Sequence, residues 1–328
     1  METGIYEEIG KYRESHIQQV AQDHFLLNEL HHQILTKVLE TAIQQISLRY
    51  GPPPSPFSFF VMGSAGRQEQ SIWSDQDHGL IYKDSTDLAK SYFLALGKEI
   101  SKGLYQAGYP YCDGGIMAGN PLWCKSLAEW QEQLTKWTTE ASWESIRYLL
   151  IFLDARSVYG VTEYVKILKQ QIYQTVNNHH LYSKLLNNTL HLKKGINVLG
   201  QLLVETHGPH AGSLNIKELG FLPFINAIRL AAIKEHVLET STLSRLEKLP
   251  LTWMSAKERD FYILQFTQLL NYRLKYCHST DYDSGHYLPI KHLTKEQTKE
   301  VKDIIKSGAA LYHNVRKLLE KEDTYGDE

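Results

Sequence analysis

Apolar residues recur at helical spacing through residues 5–49, at Ile17, Val20, Phe25, Leu26, Leu30, Ile34, Leu35, Val38, Leu39, Ile43 and Ile46. Charged and amide residues fill the gaps, which predicts helix. Gly51-Pro-Pro-Pro-Ser-Pro56 breaks it and serves as a stiff linker. At Phe57 the period changes. Phe57 to Met62 is a mostly apolar run that reads as a buried strand, and Asp77 to Tyr82 reads as a second, with a turn or short helix between. Leu88, Tyr92, Phe93, Leu96, Ile100 and Leu104 predict a helix over Asp87 to Gln106, stopped by Gly108. Tyr109 to Met117 reads as a third strand, closed by Asn120-Pro121, with helix resuming from Leu122. Beyond about residue 126 the pattern is helical throughout: Ser142 to Val158, Val161 to Val176, Tyr182 to Val204, Pro223 to Glu239, Ala256 to Tyr276 and Thr294 to Leu319. The expected class is α+β, with a small mixed-sheet core at 51–138, an N-terminal helical segment at 1–50 and a C-terminal helical bundle at 139–328.

Composition narrows the function more than the fold. The 328 residues leave room for two domains, and 42% are apolar. Lys plus Arg (35) nearly balance Asp plus Glu (37), which argues against a nucleic-acid binder relying on a basic surface. The start is acidic (Glu2, Glu7, Glu8), unlike a signal peptide, and the longest purely apolar run, Tyr148 to Leu153, is too short to span a bilayer. A soluble cytoplasmic protein is expected, with no membrane partner. Cys112, Cys124 and Cys277 are widely spaced, so neither a disulfide framework nor a zinc site is indicated. His31 and His32 are adjacent on a helix and read as surface and interface residues. His207 and His210 have loop character.

The chemistry concentrates between Phe59 and Tyr82. The first strand ends in Gly63-Ser64, a turn whose backbone N–H groups can receive an anion. Asp75 and Asp77 then alternate at the start of the second strand. Strand residues two apart point to one face, roughly 7 Å apart along the chain. Such carboxylates repel unless a cation sits between them, and a hard oxygen site suits Mg²⁺. Alone, an Asp-x-Asp is more often a solvated strand end. Beside a phosphate cradle, it is the apparatus of phosphoryl or nucleotidyl transfer.

The ordered run Gly63-Ser64-Ala65-Gly66-Arg67-Gln68-Glu69, then Ser74-Asp75-Gln76-Asp77, resembles the signature of the DNA-polymerase-β-like nucleotidyltransferase superfamily. More narrowly, the chain resembles bacterial nucleotidyltransferase-like proteins related to the PII-protein uridylyltransferase, which often sit behind CBS-pair and cyclic-nucleotide-binding domains. Gly108 to Trp123, Phe152 to Gly160, Ile216-Lys217, Pro223 to Ala232 and Ser241 to Leu246 match in order, so the resemblance covers roughly residues 10 to 320. It assigns the nucleotidyltransferase-like domain to 51–138.

The resemblance implies a nucleoside triphosphate substrate (ATP or UTP), Mg²⁺ on Asp75 and Asp77, and an acceptor hydroxyl, which the uridylyltransferase relation would place on a protein. Gly63 and Ser64 would hold the terminal phosphates. Arg67 would make a forked phosphate contact, or pair with Glu69 or a buried carboxylate. Glu69 reads as scaffold and Ser74 as a cap or orienter of Asp75. Active members carry a further acid on the following strand, where this chain has Gly115 or Gly114. Asp113 would take that acid's place as metal ligand or base, or be an ordinary turn aspartate. Arg156, on the first helix after the sheet, would face the cleft or pair with Asp154. Lys217 and Arg229 would supply positive charge from the helical half. Rival readings are a catalytically silent nucleotide-binding signalling module and a small-molecule nucleotidyltransferase.

Overall fold

A computed structural model describes residues 3–190, 193–277 and 280–325. The chain forms two compact units, Met1–Glu140 with Tyr148–Ile172, and Ala141–Arg147 with Tyr173–Glu328. Among the described residues, no helix is long and apolar enough to cross a membrane.

The first unit opens with two helices, α1 (Thr3–Val20) and α2 (His24–Tyr50). Asp23 separates them because its carboxylate accepts from the amides of Phe25 and Leu26, capping α2. Then come β1 (Phe57–Val61), the helical turn α3 (Gly63–Gly66), β2 (His78–Tyr82), α4 (Asp87–Gln106), β3 (Cys124–Ser126), α5 (Leu127–Glu140), α6 (Trp143–Phe152), β4 (Arg156–Gly160) and α7 (Glu163–Asn178). Four strands make one mixed sheet in the order β3-β2-β1-β4. β1 pairs antiparallel with β2, Val61 opposite His78, and with β4, Val61 opposite Arg156; β2 and β3 are parallel.

β1 shows no alternation because both its faces are covered. Phe57 meets Phe93 of α4, while Phe60 meets Trp130 of α5 and Phe152 of α6. Trp123, Trp130, Trp137 and Tyr148 continue that second layer, and the Trp130 indole donates to the Leu80 carbonyl at 3.0 Å.

Several expectations changed. Tyr109 to Met117 is not a strand; it lies beside Gln76 and His78 as a looped segment, and the third strand comes later, at Cys124–Ser126. Three glycines and a proline within Gly108 to Gly115 favour turns over a continuous ladder. The helix expected over Ser142 to Val158 ends at Phe152, and Arg156 lies on β4. The β-branched and aromatic residues Val158 and Tyr159 favour a strand once an open sheet edge is at hand.

The second unit is mainly helical: α8 (Tyr182–Thr189), α9 (Leu222–Lys234), α10 (Thr242–Lys248), α11 (Ala256–Tyr276) and α12 (Lys295–Tyr325), with a small hairpin of β5 (Ser213–Asn215) and β6 (Tyr287–Pro289). α9 is buried almost all round, packed by α10 and α12. The helix expected over Tyr182 to Val204 stops at Thr189. Residues 191–192 lie outside the described residues, and Asn197 folds the following stretch back by accepting from the amides of Leu199 and Gln201.

Candidate functional site

β1 delivers the chain into the turn Gly63–Gly66, where the Gly66 amide bonds the Met62 carbonyl and the Arg67 amide bonds Gly63. The amides of Gly63, Ser64 and Ala65 open this turn, in the positions that have no acceptor within a helix. The Met62 amide bonds the Asp77 carbonyl at 2.8 Å, so the chain just before β2 stays beside the turn. The Ser64 hydroxyl lies 3.2 Å from that of Ser74, which is buried, accepts from the Gln70 amide group and bonds the Asp75 carbonyl.

Asp75 and Asp77 precede β2 and are not strand residues, yet they keep strand-like alternation. From Ser71 to His78, half-buried and buried positions alternate without a break. Between the two acids, Gln76 turns inward and its amide group donates to the carbonyls of Ser101 and Tyr109. His78 is also inward; its Nε2–H donates to Gln76 Oε1 and its Nδ1 accepts from the Ala118 amide. With Gln76 and His78 pinned, the two carboxylates are left on the opposite side. They are joined there by Cys112: one ligand atom from each of Asp75, Asp77 and Cys112 lies within 4.8 Å of the others.

Cys112 is carried by the Tyr109–Ala118 segment. The Gln76 amide bonds the Pro110 carbonyl at 3.2 Å and the His78 amide bonds the Ile116 carbonyl at 3.1 Å, one on each side of the cysteine. A turn from Cys112 to Gly115 then reverses the chain. Burial pushes the Cys112 thiol up to about 12, reinforced by the Asp77 charge, a hydrogen bond to Asp77, and Asp75. Asp113, at the tip of the turn, is exposed and outside the three-donor cluster. No sequence pattern marked Cys112, because its partners lie more than thirty residues upstream.

Gly63 has φ +54°, and a Cβ there would stand 2.2 Å from Asp77 Oδ2. The missing side chain is therefore the space that the Asp77 carboxylate occupies. Two carboxylates and a thiol around one small space form a donor set that a divalent cation fits.

The arginines take different roles. Arg67 is pinned, Nε to Glu69 at 2.7 Å and Nη1 to Asp154 at 2.6 Å, with both acids buried. Burial opposes its charge, but the two partners outweigh it and hold the guanidinium above its ordinary range. Arg156 donates from Nη2 to the Ala65 carbonyl at 3.2 Å, which brings it beside the turn. Burial lowers its pKa against the attraction of Glu29. Lys217 and Arg229 belong to the second unit. The Lys217 ammonium is exposed, 3.3 Å from His286 Nε2, and Arg229 is buried and bonds Asn226. His210 stacks on Tyr287 and meets Asp283.

His31, expected at a surface or interface, is a core residue. Its Nε2–H donates to the Ser71 carbonyl and its Nδ1 accepts from the Tyr109 hydroxyl, tying α2 to both segments of the site. Burial, aided for His31 by the Arg13 charge, pushes both His31 and His78 down to about 3. Below pH 6.5 the unfolded chain binds protons that the folded chain refuses. Stability is therefore full above that pH and falls as pH drops toward 3, by about 1.4 kcal/mol per pH unit for each histidine. His31→Gln should lose about 2 kcal/mol less than wild type between pH 7 and pH 5 in urea titrations. Equal losses would refute the role of His31.

Two comparisons bear on this site. Residues 9–144 match the family model described as "Putative nucleotidyltransferase DUF294", and residues 179–318 match its companion, described as "Putative nucleotidyltransferase substrate binding domain". No curated protein matches the chain.

Proposed function

Because the chain belongs to the nucleotidyltransferase family that these two models describe, we propose that it transfers a nucleoside monophosphate from a nucleoside triphosphate, ATP or UTP, to an acceptor hydroxyl. The observation that carries this reading is the convergence of the Asp75 and Asp77 carboxylates beside the turn at Gly63. The likeness to the PII-protein uridylyltransferase points to a protein side chain as acceptor.

Asp75 and Asp77 would hold a divalent cation, and two carboxylates on their own suit Mg²⁺. When bound, the ion supplies charge neutralisation on the phosphates and on the leaving pyrophosphate. The Gly63, Ser64 and Ala65 amides and the Ser64 hydroxyl take the terminal phosphates, with Ser74 and Gln70 keeping Ser64 turned toward them. Arg156, hydrogen-bonded to this turn, adds positive charge. Arg67 serves the turn through Glu69 and Asp154, as a strut rather than a phosphate ligand. Asp113 is the exposed carboxylate nearest in sequence to the cluster and is the candidate to accept the hydroxyl proton. Lys217 and Arg229 fall in the half matched as substrate-binding and would contribute charge for the substrate.

One observation favours a second reading, a nucleotide-binding signalling module without turnover: no third carboxylate joins Asp75 and Asp77 among the described residues. Labelled ATP and UTP with a divalent ion, with and without cell lysate, separate the two. Label on protein supports transfer, and tight binding without turnover supports the module. Neither binding nor transfer would end both.

Gly63→Ala offers a structural check. The positive φ costs an L-residue about 1–2 kcal/mol, and the new methyl must displace the Asp77 carboxylate. Divalent-ion binding, followed by calorimetry, should be lost while urea unfolding shows only that modest decrease. Unchanged ion binding would remove Asp77 from the site.

A further inference from the structure

Cys112 lies on the segment where a further acid was expected at Gly115 or Gly114, or through Asp113, and it is the residue of that segment that joins Asp75 and Asp77. Its position does not depend on a free loop. Backbone hydrogen bonds from Gln76 to Pro110 and from His78 to Ile116 flank it, and His78 and Gln76 are themselves buried and bonded. These bonds tie the looped segment to the chain that carries the two acids and keep the thiol beside them. One ligand atom from each of Asp75, Asp77 and Cys112 lies within 4.8 Å of the others, and Gly63 leaves the room in which the Asp77 carboxylate takes up that position.

Resting on the proposed metal-dependent reading, we infer that Cys112 is the third ligand of the Asp75–Asp77 ion, and that the site therefore selects a borderline transition ion, Mn²⁺ or Co²⁺, over Mg²⁺. Mg²⁺ takes oxygen ligands almost exclusively, whereas sulfur shifts preference toward softer ions along the first transition row. On binding, the Sγ–H bond breaks, the Sγ–metal bond forms, and the proton leaves to solvent; no electron changes hands. Cys112 thus sets which ion the site accepts.

The test uses the full-length protein. Wild type is titrated with Mg²⁺, Mn²⁺ and Co²⁺ by calorimetry, and the Co²⁺ form is examined in the near ultraviolet. Sulfur-to-cobalt charge-transfer absorption is expected in wild type. Cys112→Ser should abolish it, while Cys124→Ser and Cys277→Ser, at the other two cysteines, should keep it. Cys112→Ser should weaken Mn²⁺ and Co²⁺ by about tenfold or more and Mg²⁺ by less, and Cys112→Asp should restore Mg²⁺ preference. Circular-dichroism melting confirms that each variant folds. An assay needing no variant is iodoacetamide labelling of wild-type Cys112, read by mass, which Mn²⁺ should slow by about tenfold or more. Co²⁺ binding that depends on Asp75 but shows no charge transfer and is unchanged in Cys112→Ser would overturn this inference and leave the two-carboxylate site standing. Absence of binding by any of the ions, in wild type and Asp75→Asn alike, would take down both.

Discussion

Asp75→Asn and Asp77→Asn should each lower nucleotidyl transfer by about a hundredfold or more without unfolding the protein. The size follows from losing a ligand outright, since even partners that merely orient metal ligands are worth about 10–100-fold. The indifference of stability follows from where the acids stand. Both are half-buried and close to one another, and like charges at such separations repel. Removing one charge in metal-free buffer should leave the urea midpoint unchanged or slightly raised. With a saturating divalent ion the order should reverse, because wild type gains binding energy that the variant lacks. An initial-rate assay beside two urea titrations decides the matter. Full activity in both variants would place the chemistry elsewhere, and strong destabilisation without metal would make the acids structural.

Arg67→Ala should have the largest effect on stability, about 3–5 kcal/mol. The guanidinium is mostly enclosed and bonds two acids that are themselves 2% and 1% exposed, Glu69 and Asp154. Removing it takes from two buried carboxylates the counter-charge that they share. Both acids also touch the Gly63–Gly66 turn, Glu69 through its amide, which bonds the Ser64 carbonyl at 2.8 Å. Gly66 is packed so closely that a Cβ would stand 2.0 Å from the Asp154 carbonyl, so loosening Asp154 should disturb the turn as well. Asp154→Asn should cost less, because Glu69 still balances the arginine. Urea unfolding of the two variants gives the ranking. A small loss for Arg67→Ala would mean that the charges are better solvated than their burial implies.

Much of this architecture was readable along the chain. Asp87–Gln106 and Ala256–Tyr276 form helices with the bounds that their apolar spacing and end residues predicted, because a long amphipathic segment with a capping residue carries its own instructions. Two strands were legible as a buried run and an Asp-flanked run, since burial on both faces demands unbroken apolar sequence. Short elements were not legible. The three residues of β3 and the conversion of Arg156 from helix to strand depend on pairing with partners distant in sequence, and no local period records that.

The site divides along the same line. Gly63, Ser64, Asp75 and Asp77 could be picked out as candidates because turn chemistry and alternating acids are local patterns, and Asp75, Asp77 and Gly63 do lie together. Arg67 could be read as a phosphate ligand or a strut, and Asp154, 87 positions away, supplied the second contact that favours the strut. Cys112 carried no local signal. It joins the acids because Gln76 and His78 are buried and bind the backbone on either side of it. The sequence by itself determined which residues could bear charge and which segments had to be buried. Which of them meet was decided by tertiary packing, since contacts between distant segments arise only once hydrogen bonds of buried groups are satisfied.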